Sequence, residues 1–600
     1  MISTNRRMKN RFFATALIIL GSLSLQSLHS QDLLAHVEGR NYSSLNGKWE
    51  IIVDPFNRGE LNWGNPFWKE KPPTGKTGFY EYGFEASNTL NVPGDWNSQR
   101  PELNFYEGTV WYRKQFIYAK KPGKKSFLYF GGVNYRSHVY LNDHEIGQHE
   151  GGFTPFQFDI TDQLKEGWNS LYVSVNNRRS EENIPAMNFD WWNYGGIMRD
   201  VYLVETPAEY ILDYFIQLAK GNDGRIQGWV QLSDKKRGQA VKLQIPEMKL
   251  NVNLVTDDSG RAILDIPASP VLWSPEKPKL YAVKFSTTED NIDENIGFRT
   301  IAVSGTEIIL NGKPVFLRGI NFHEENPQRG GRAYSEADAM VLLNWAKELG
   351  CNFVRLTHYP QNEHMVRMAE KMGILLWEEI PLWQGIQFTN PLVLEKAKDM
   401  LRTMITRDKN RCGIILWSMS NETAHGKYRD SVITSLASLA RQMDPTRLIT
   451  SALMYVDYAD NTITISDPIC KVLDVIGVNE YLGWYKPWPA KPEEMKWESA
   501  FNKPLIMSEF GAEALFGQHG SADTAGLWNE EFQEQVYKDQ ITMLKKIPFL
   551  RGICPWILTD FRSPNRLHPV YQQGWNRKGL ISEKGDRKKA WYVVKDYYGN

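Results

Sequence analysis

The chain has 600 residues, 70 Lys plus Arg against 70 Asp plus Glu, and 42% hydrophobic content. That length exceeds what one core supports, so two to four domains are expected. The balanced charge argues against a nucleic-acid partner, and no segment is biased enough to read as disordered.

The first thirty residues stand apart. "MISTNRRMKNR" is basic, "FFATALIILGSLSL" is apolar, and "QSLHS" supplies small residues before Gln31. This pattern predicts a secretory signal peptide over residues 1–30. The apolar run is shorter than the ~20 residues a membrane span needs, and no later stretch could cross a bilayer. Without this segment the chain carries 66 bases against 70 acids. Cys351, Cys412, Cys470 and Cys554 fit neither a zinc site nor a disulfide framework, and are expected as buried free thiols.

Residues 31–205 show short alternating runs such as "KSFLYFGGV" and "NSLYVSVNN", separated by Gly, Asn and Asp. Asn142-Asp143 reads as a hairpin turn. Strands at this spacing predict a β-sandwich. Residues 206–304 repeat the pattern over about 100 positions, the size of an immunoglobulin-like sandwich. From residue 305 to 600 the style changes. Eight apolar strand candidates ("VFLRGIN", "NFVRLTH", "ILLWEEI", "IILWSMS", "LITSALM", "VIGVNEY", "PLIMSEF", "GICPWIL") appear, most of them separated by helical patterns. Continuous apolar runs suit strands covered on both faces, and eight of them predict a TIM (β/α)8 barrel. "SEADAMVLLNWAKEL" opens with Ser335 and Asp338 in capping-box spacing.

Active sites of such barrels lie at the C-terminal strand ends. The fourth strand ends in Asn421-Glu422 and the seventh in Ser508-Glu509. Two acids facing one another across the mouth suit glycoside cleavage. One carboxyl protonates the leaving oxygen, while the other stays ionised to attack the anomeric carbon or to activate water. Their spacing decides between retention and inversion, and the sequence does not give it.

"WSMSNE" and "IMSEFG" resemble the acid/base and nucleophile motifs of glycoside hydrolase family 2. "YRKQF", "NYGGIMRDVYL", "LNGKPVFLRGINFHEE" and "VRLTHYP" resemble other motifs of that family, over nearly the whole mature chain. The resemblance implies a jelly-roll sandwich, an immunoglobulin-like sandwich and a TIM barrel, in that order. It implies retention, with Glu422 as acid/base and Glu509 as nucleophile. Asn421 is then expected on the sugar 2-hydroxyl and Tyr481 on the nucleophile, with His358 and Trp556 lining the sugar subsite.

Fold does not select the sugar. A glucuronide carries a carboxylate where a neutral hexose has CH2OH, so a cation with a neutral donor is needed there. Asn576 and Lys578, in "GWNRKGLIS", leave one face of an extended segment and resemble the carboxylate-reading motif of β-glucuronidases. Asp190, in "FDWWNYGGIMR", resembles an acid that the first domain of those enzymes sends toward the sugar. Tyr485, in "NEYLGWY", resembles a residue of their subsite. Glu480 departs from the resemblance, standing where some of those enzymes carry a base. Arg562 and Arg566 add cations that could meet a polymeric or galacturonate-type substrate.

The expected activity is an exo-acting β-glucuronidase on a carbohydrate substrate, without cofactor or metal. β-Galactosidase or β-galacturonidase activity on the same scaffold is the nearest alternative. A non-catalytic carbohydrate-binding protein is the alternative from another class, and retention of both acids argues against it. No G-x-S-x-G, H-E-x-x-H or P-loop motif is present. A signal without an anchor suits the periplasm. The sequence leaves oligomeric state, including a homo-oligomer, open.

Overall fold

A computed structural model describes residues 33–59, 75, 83–84, 88–523 and 525–599. The signal-peptide reading falls on residues outside this set. No helix among the described residues is long and apolar enough to cross a membrane.

The first layer pair is an antiparallel sandwich. A six-stranded sheet runs Asn88–Val92, Gly47–Asp54, Thr109–Tyr118, Gly167–Asn176, Arg136–Leu141 and His144–Glu150. A four-stranded sheet of Asn41–Ser44, Val201–Pro207, Lys124–Phe130 and Phe156–Asp159 covers it. Alternation sends Leu171, Val173 and Val175 into the core, where they meet Trp49, Val110, Tyr112 and Phe130. The expected turn is present: Asn142 and Asp143 join two paired strands at φ 50° and 71°. Both central residues of such a turn need positive φ, which Asn and Asp tolerate best after Gly.

A smaller sandwich follows. Ile211–Ala219, Asn222–Leu232 and Arg261–Pro267 form one sheet. Leu250–Val255, Ala240–Ile245, Tyr281–Ser286 and Asn291–Ile296 form the other. Its core joins Ile216, Val230, Leu243, Val283 and Phe285. The loop between its strands Arg261–Pro267 and Tyr281–Ser286 anchors it to the third domain, where buried Trp273 donates its indole N–H to the Glu370 carbonyl at 3.0 Å.

The third domain is the expected barrel. Its first strand is split into Leu317–Arg318 and Asn321–Phe322. The first piece pairs with the eighth strand, Leu550–Ile553, and the second piece with the second strand, Phe353–Leu356, so the parallel ring closes. Between them stand Leu375–Glu379, Ile414–Asn421, Leu448–Leu453, Ile476–Asn479 and Leu505–Glu509. Helices Glu336–Leu349, Glu363–Met372, Pro391–Asp408, Lys427–Met443, Glu530–Leu544 and Lys589–Gly599 follow the first to fourth, seventh and eighth strands. After the fifth strand the chain builds a hairpin, Asp457–Ala459 and Thr462–Ile465, which Lys496–Ser499 extends from the loop after the sixth. Ser335 caps the first helix by accepting from the Asp338 N–H. Asp338 does not complete the box. Its carboxylate accepts instead from the Tyr334 N–H at 2.9 Å and from Asn326, since it is one methylene shorter than the usual Glu. All four cysteines are buried and unpaired.

Candidate active site

The fourth strand is buried along its whole length. Apolar side chains fill its first half, and its last residues must find polar partners in the barrel mouth. Asn421 Oδ1 accepts from Arg355 Nη2 at 2.7 Å and from Asn479 Nδ2 at 3.1 Å. With its oxygen doubly engaged, its Nδ2 is buried without a partner. Glu422 then turns out of the strand at φ 53°, a conformation costly for a residue with a Cβ. The turn lays its carboxylate between two neutral amides, Gln384 Nε2 and Asn479 Nδ2, each at 2.9 Å. Ser508 fixes the Asn479 amide by donating to its oxygen at 2.7 Å.

Glu509 ends the seventh strand among different partners. Arg355 Nη1 donates to its Oε1 at 2.9 Å, and the Tyr481 hydroxyl donates to its Oε2 at 2.8 Å. Burial pushes its carboxyl up to about 8; Arg355 and Tyr481 oppose that rise, and the Glu422 charge adds to it. Burial, and then Glu509 itself, hold the Tyr481 hydroxyl well above its ordinary value, so it stays a donor. Glu509 thus has a cation and a hydroxyl donor to hold its anion, whereas the Glu422 carboxylate is met by neutral amides alone.

Arg355 is the hub beneath both acids. It is fully buried and also binds Glu379, with Nη2 to Oε1 at 3.0 Å and Nε to Oε2 at 3.1 Å. Burial raises the Glu379 carboxyl, but Arg355 and His358 outweigh it and keep the group below its ordinary value. Burial lowers His358, so the neutral ring donates Nδ1–H to Glu379 at 2.7 Å. Its face stacks on Trp556, with centroids 4.9 Å apart and planes 17° apart.

These groups line a cavity of about 600 Å³, a size suited to a sugar residue. On its far side lies a second polar cluster. Lys578 Nζ donates to the Tyr485 hydroxyl at 2.7 Å and pairs with Glu513 at 3.3 Å. Arg566 Nη2 donates to the same hydroxyl at 3.0 Å and to Asp190 Oδ2 at 2.6 Å. Asn576 Nδ2 also donates to Asp190 Oδ2, at 3.2 Å, and Ser563 donates to the other oxygen. Burial raises Glu513, but Lys578 and Arg566 prevail and hold it at about 2. Asp190 reaches this cluster from the first sandwich.

The structure brings together all ten residues singled out in the sequence. Glu422, Glu509, Asp190, His358, Tyr481, Tyr485, Trp556, Asn576 and Lys578 line the cavity, and Asn421 braces it. Sequence reasoning missed Arg355, Glu379, Gln384, Asn479 and Glu513, and also Trp191, which lines the cavity from the first sandwich with its ring centroid 5.6 Å from that of His358. Of the two added cations, Arg566 faces the cavity, whereas Arg562 lies over the Trp575 ring at 4.3 Å. Glu38, Asp200 and His364 bring metal-ligating atoms within 4.8 Å of one another, but they do not line this cavity.

Comparison with known proteins agrees with this geometry. Residues 42–207 match the model of the glycosyl hydrolases family 2 sugar binding domain, residues 209–299 that of glycosyl hydrolases family 2, and residues 301–600 that of its TIM barrel domain. A beta-glucuronidase of Paenibacillus borealis is 26% identical over 93% of this chain and 97% of its own. That of Rattus norvegicus is 25% identical over 93% and 91%. Among solved structures, an uncultured Clostridium beta-glucuronidase superposes with a TM-score of 0.80 at 25% identity, covering 95% of this chain and 100% of its own. A beta-galacturonidase from Eisenbergiella tayi reaches 0.78 at 25% identity, over 93% and 96%. Sandwich, sandwich and barrel, with paired acids at the barrel mouth, are thus those of a glycoside hydrolase, and the chain belongs to glycoside hydrolase family 2.

Proposed function

We propose that this chain is an exo-acting, retaining β-glucuronidase, exported to the periplasm. One observation carries the choice of a uronide over a neutral sugar. Lys578 and Arg566 both donate to the Tyr485 oxygen and fill its two lone pairs. Its own O–H can then only donate, and no described protein group accepts it. Three donors, two of them charged, therefore converge on one point of the cavity wall. A carboxylate at C5 of the sugar satisfies all three, with charge-assisted bonds; a CH2OH group cannot accept from them as well.

The reaction follows from the two environments. Glu509, ionised beside Arg355 and Tyr481, attacks the anomeric carbon as the glycosidic C–O bond breaks. Glu422 passes its proton to the leaving oxygen. Glu422, now ionised, removes a proton from water, which attacks the glycosyl-enzyme ester and returns Glu509 as carboxylate. Asn421 Nδ2, which has no protein partner, then donates to the sugar 2-hydroxyl, a contact that strengthens as the oxocarbenium ion develops.

The clamp reads C6 and not the configuration at C4, so it serves a β-galacturonide equally well. A panel of 4-nitrophenyl β-glucuronide, β-galacturonide, β-galactoside and β-mannoside tests the reading. The expected result is release from a uronide and negligible release from the neutral sugars. Preference for a neutral glycoside would refute it.

A further inference from the structure

The mechanism leaves one cation in the cavity unused. Lys486, from the loop after the sixth strand, lines the cavity. Its Nζ donates to the Tyr458 hydroxyl at 2.9 Å and pairs with Glu480 Oε2 at 3.3 Å. Tyr458 lies on the hairpin inserted after the fifth strand, and its hydroxyl also donates to Glu480. Two separate loops thus fix one ammonium group. The other Glu480 oxygen, Oε1, is buried and without a partner, so among the described residues Lys486 and Tyr458 alone compensate this carboxylate.

The orientation of the pair matters. The Glu480 side chain is 0% exposed and that of Lys486 is 43% exposed. The ion pair therefore presents its positive end to the cavity and hides its negative end behind it. An approaching anion meets the cation first, at short range. Immobilising a lysine side chain costs rotamer entropy, and here that cost is met before a ligand arrives.

The position of Lys486 assigns it to the leaving group. The sugar carboxylate clamp draws its cations from the segment after the eighth strand. Glu422, which protonates the leaving oxygen, stands on the fourth strand with Gln384 beside it from the loop after the third. Met454, after the fifth strand, and Trp383, after the third, offer apolar surface on that flank. Lys486 reaches toward the same flank through its bond to Tyr458. We propose that Lys486, braced by Glu480 and Tyr458, is the cation of a leaving-group subsite that selects substrates whose aglycone carries an anionic group, such as a sulfated or carboxylated sugar. The inference rests on the assignment of Glu422 as acid/base made above.

The test compares aglycones on one sugar. The kcat/KM of wild type, Lys486→Met, Lys486→Arg and Glu480→Gln is measured on 4-nitrophenyl and 4-sulfophenyl β-glucuronide. The ratio of variant to wild type on each substrate cancels the intrinsic reactivity of its leaving group. Lys486→Met is expected to lose about fivefold more on the sulfophenyl than on the nitrophenyl substrate. Lys486→Arg is expected to keep the wild-type preference, because the cation is retained. Glu480→Gln should shift the preference further toward the sulfophenyl substrate, since it unmasks the ammonium charge. Equal losses of Lys486→Met on both substrates would overturn the proposal, as would a Glu480→Gln shift toward the neutral aglycone. Failure of the glucuronide reading looks different: wild type then turns over neither compound, and the same pair of aglycones is compared on the sugar that the nitrophenyl panel identifies.

Discussion

The hydroxyl of Tyr481 is the sharpest lever on the proposed nucleophile. Tyr481→Phe removes one donor from a buried carboxylate and leaves the ring, which packs edge-on against Tyr485 at 5.2 Å, in place. A hydrogen bond to a charged group contributes about 1.5–3 kcal/mol. If that bond is made to the anion that attacks, kcat falls roughly 10- to 150-fold at neutral pH. The sign of the pH effect is fixed as well. Glu509 is already pushed up to about 8 by burial, with Tyr481 among the groups that oppose the rise. Losing that donor disfavours the anion, so the acidic limb of the rate profile must move to higher pH. The apparent values belong to the pair of acids, and only the shift between wild type and variant is diagnostic. The assay is steady-state hydrolysis of 4-nitrophenyl β-glucuronide across pH, with thermal unfolding as a control for folding. An unchanged acidic limb with unchanged kcat would refute the role given to Tyr481, and with it the assignment of Glu509.

Three further outcomes are expected. Glu422→Gln should lose several orders of magnitude with poor leaving groups and far less with 2,4-dinitrophenolate, which departs without a proton; added azide should restore turnover as a β-glycosyl azide. Equal losses for both leaving groups would remove Glu422 from the acid role. Lys578→Met should cost about 2–4 kcal/mol in kcat/KM on a glucuronide, and much less on whatever trace of neutral glycoside is cleaved; equal losses on both would separate Lys578 from the sugar carboxylate. Trp273→Ala deletes a fully buried indole at the seam between the smaller sandwich and the barrel. It should destabilise the protein by about 3–5 kcal/mol, read as a lower first thermal transition, with little change in the KM of the enzyme that remains folded.

The acids and the barrel were legible for the same reason. A parallel strand buried on both faces reads as an unbroken apolar run, and polar residues that close such a run must lie in the mouth. Glu422, Glu509 and Tyr481 all announce themselves this way. Arg355 did not, although a signal was present. A base within "NFVRLTH" cannot stay unpaired in a covered strand, and Glu379 in "LLWEEI" ends the neighbouring strand. Asking where that charge is neutralised would have found both. Gln384 is an ordinary amide whose importance lies wholly in where its loop puts it, whereas Asn479 closes the buried sixth strand and carried the same strand-end signal as the acids. Trp191 meets His358 across a domain boundary and Glu513 meets Lys578 between neighbouring loops, and no local pattern encodes such pairings. Arg562 and Arg566 are alike in sequence; only the course of their loop turns one onto Trp575 and the other into the cavity.

Asp190 reaches the barrel mouth from a separate sandwich, and that division of labour has a consequence for how the protein can change. In the proposed mechanism bond breaking is carried by barrel residues alone, whereas part of the grip on the sugar is lent by a neighbour. The neighbour is moored by Arg199, which donates to the barrel carboxylate Glu324 at 3.1 Å and to the Pro360 carbonyl at 2.6 Å. Loosening that mooring should blur discrimination among monosaccharides before it slows the chemistry. The joint between the two modules is therefore where a lineage could acquire a new diet while leaving its reactive carboxylates untouched.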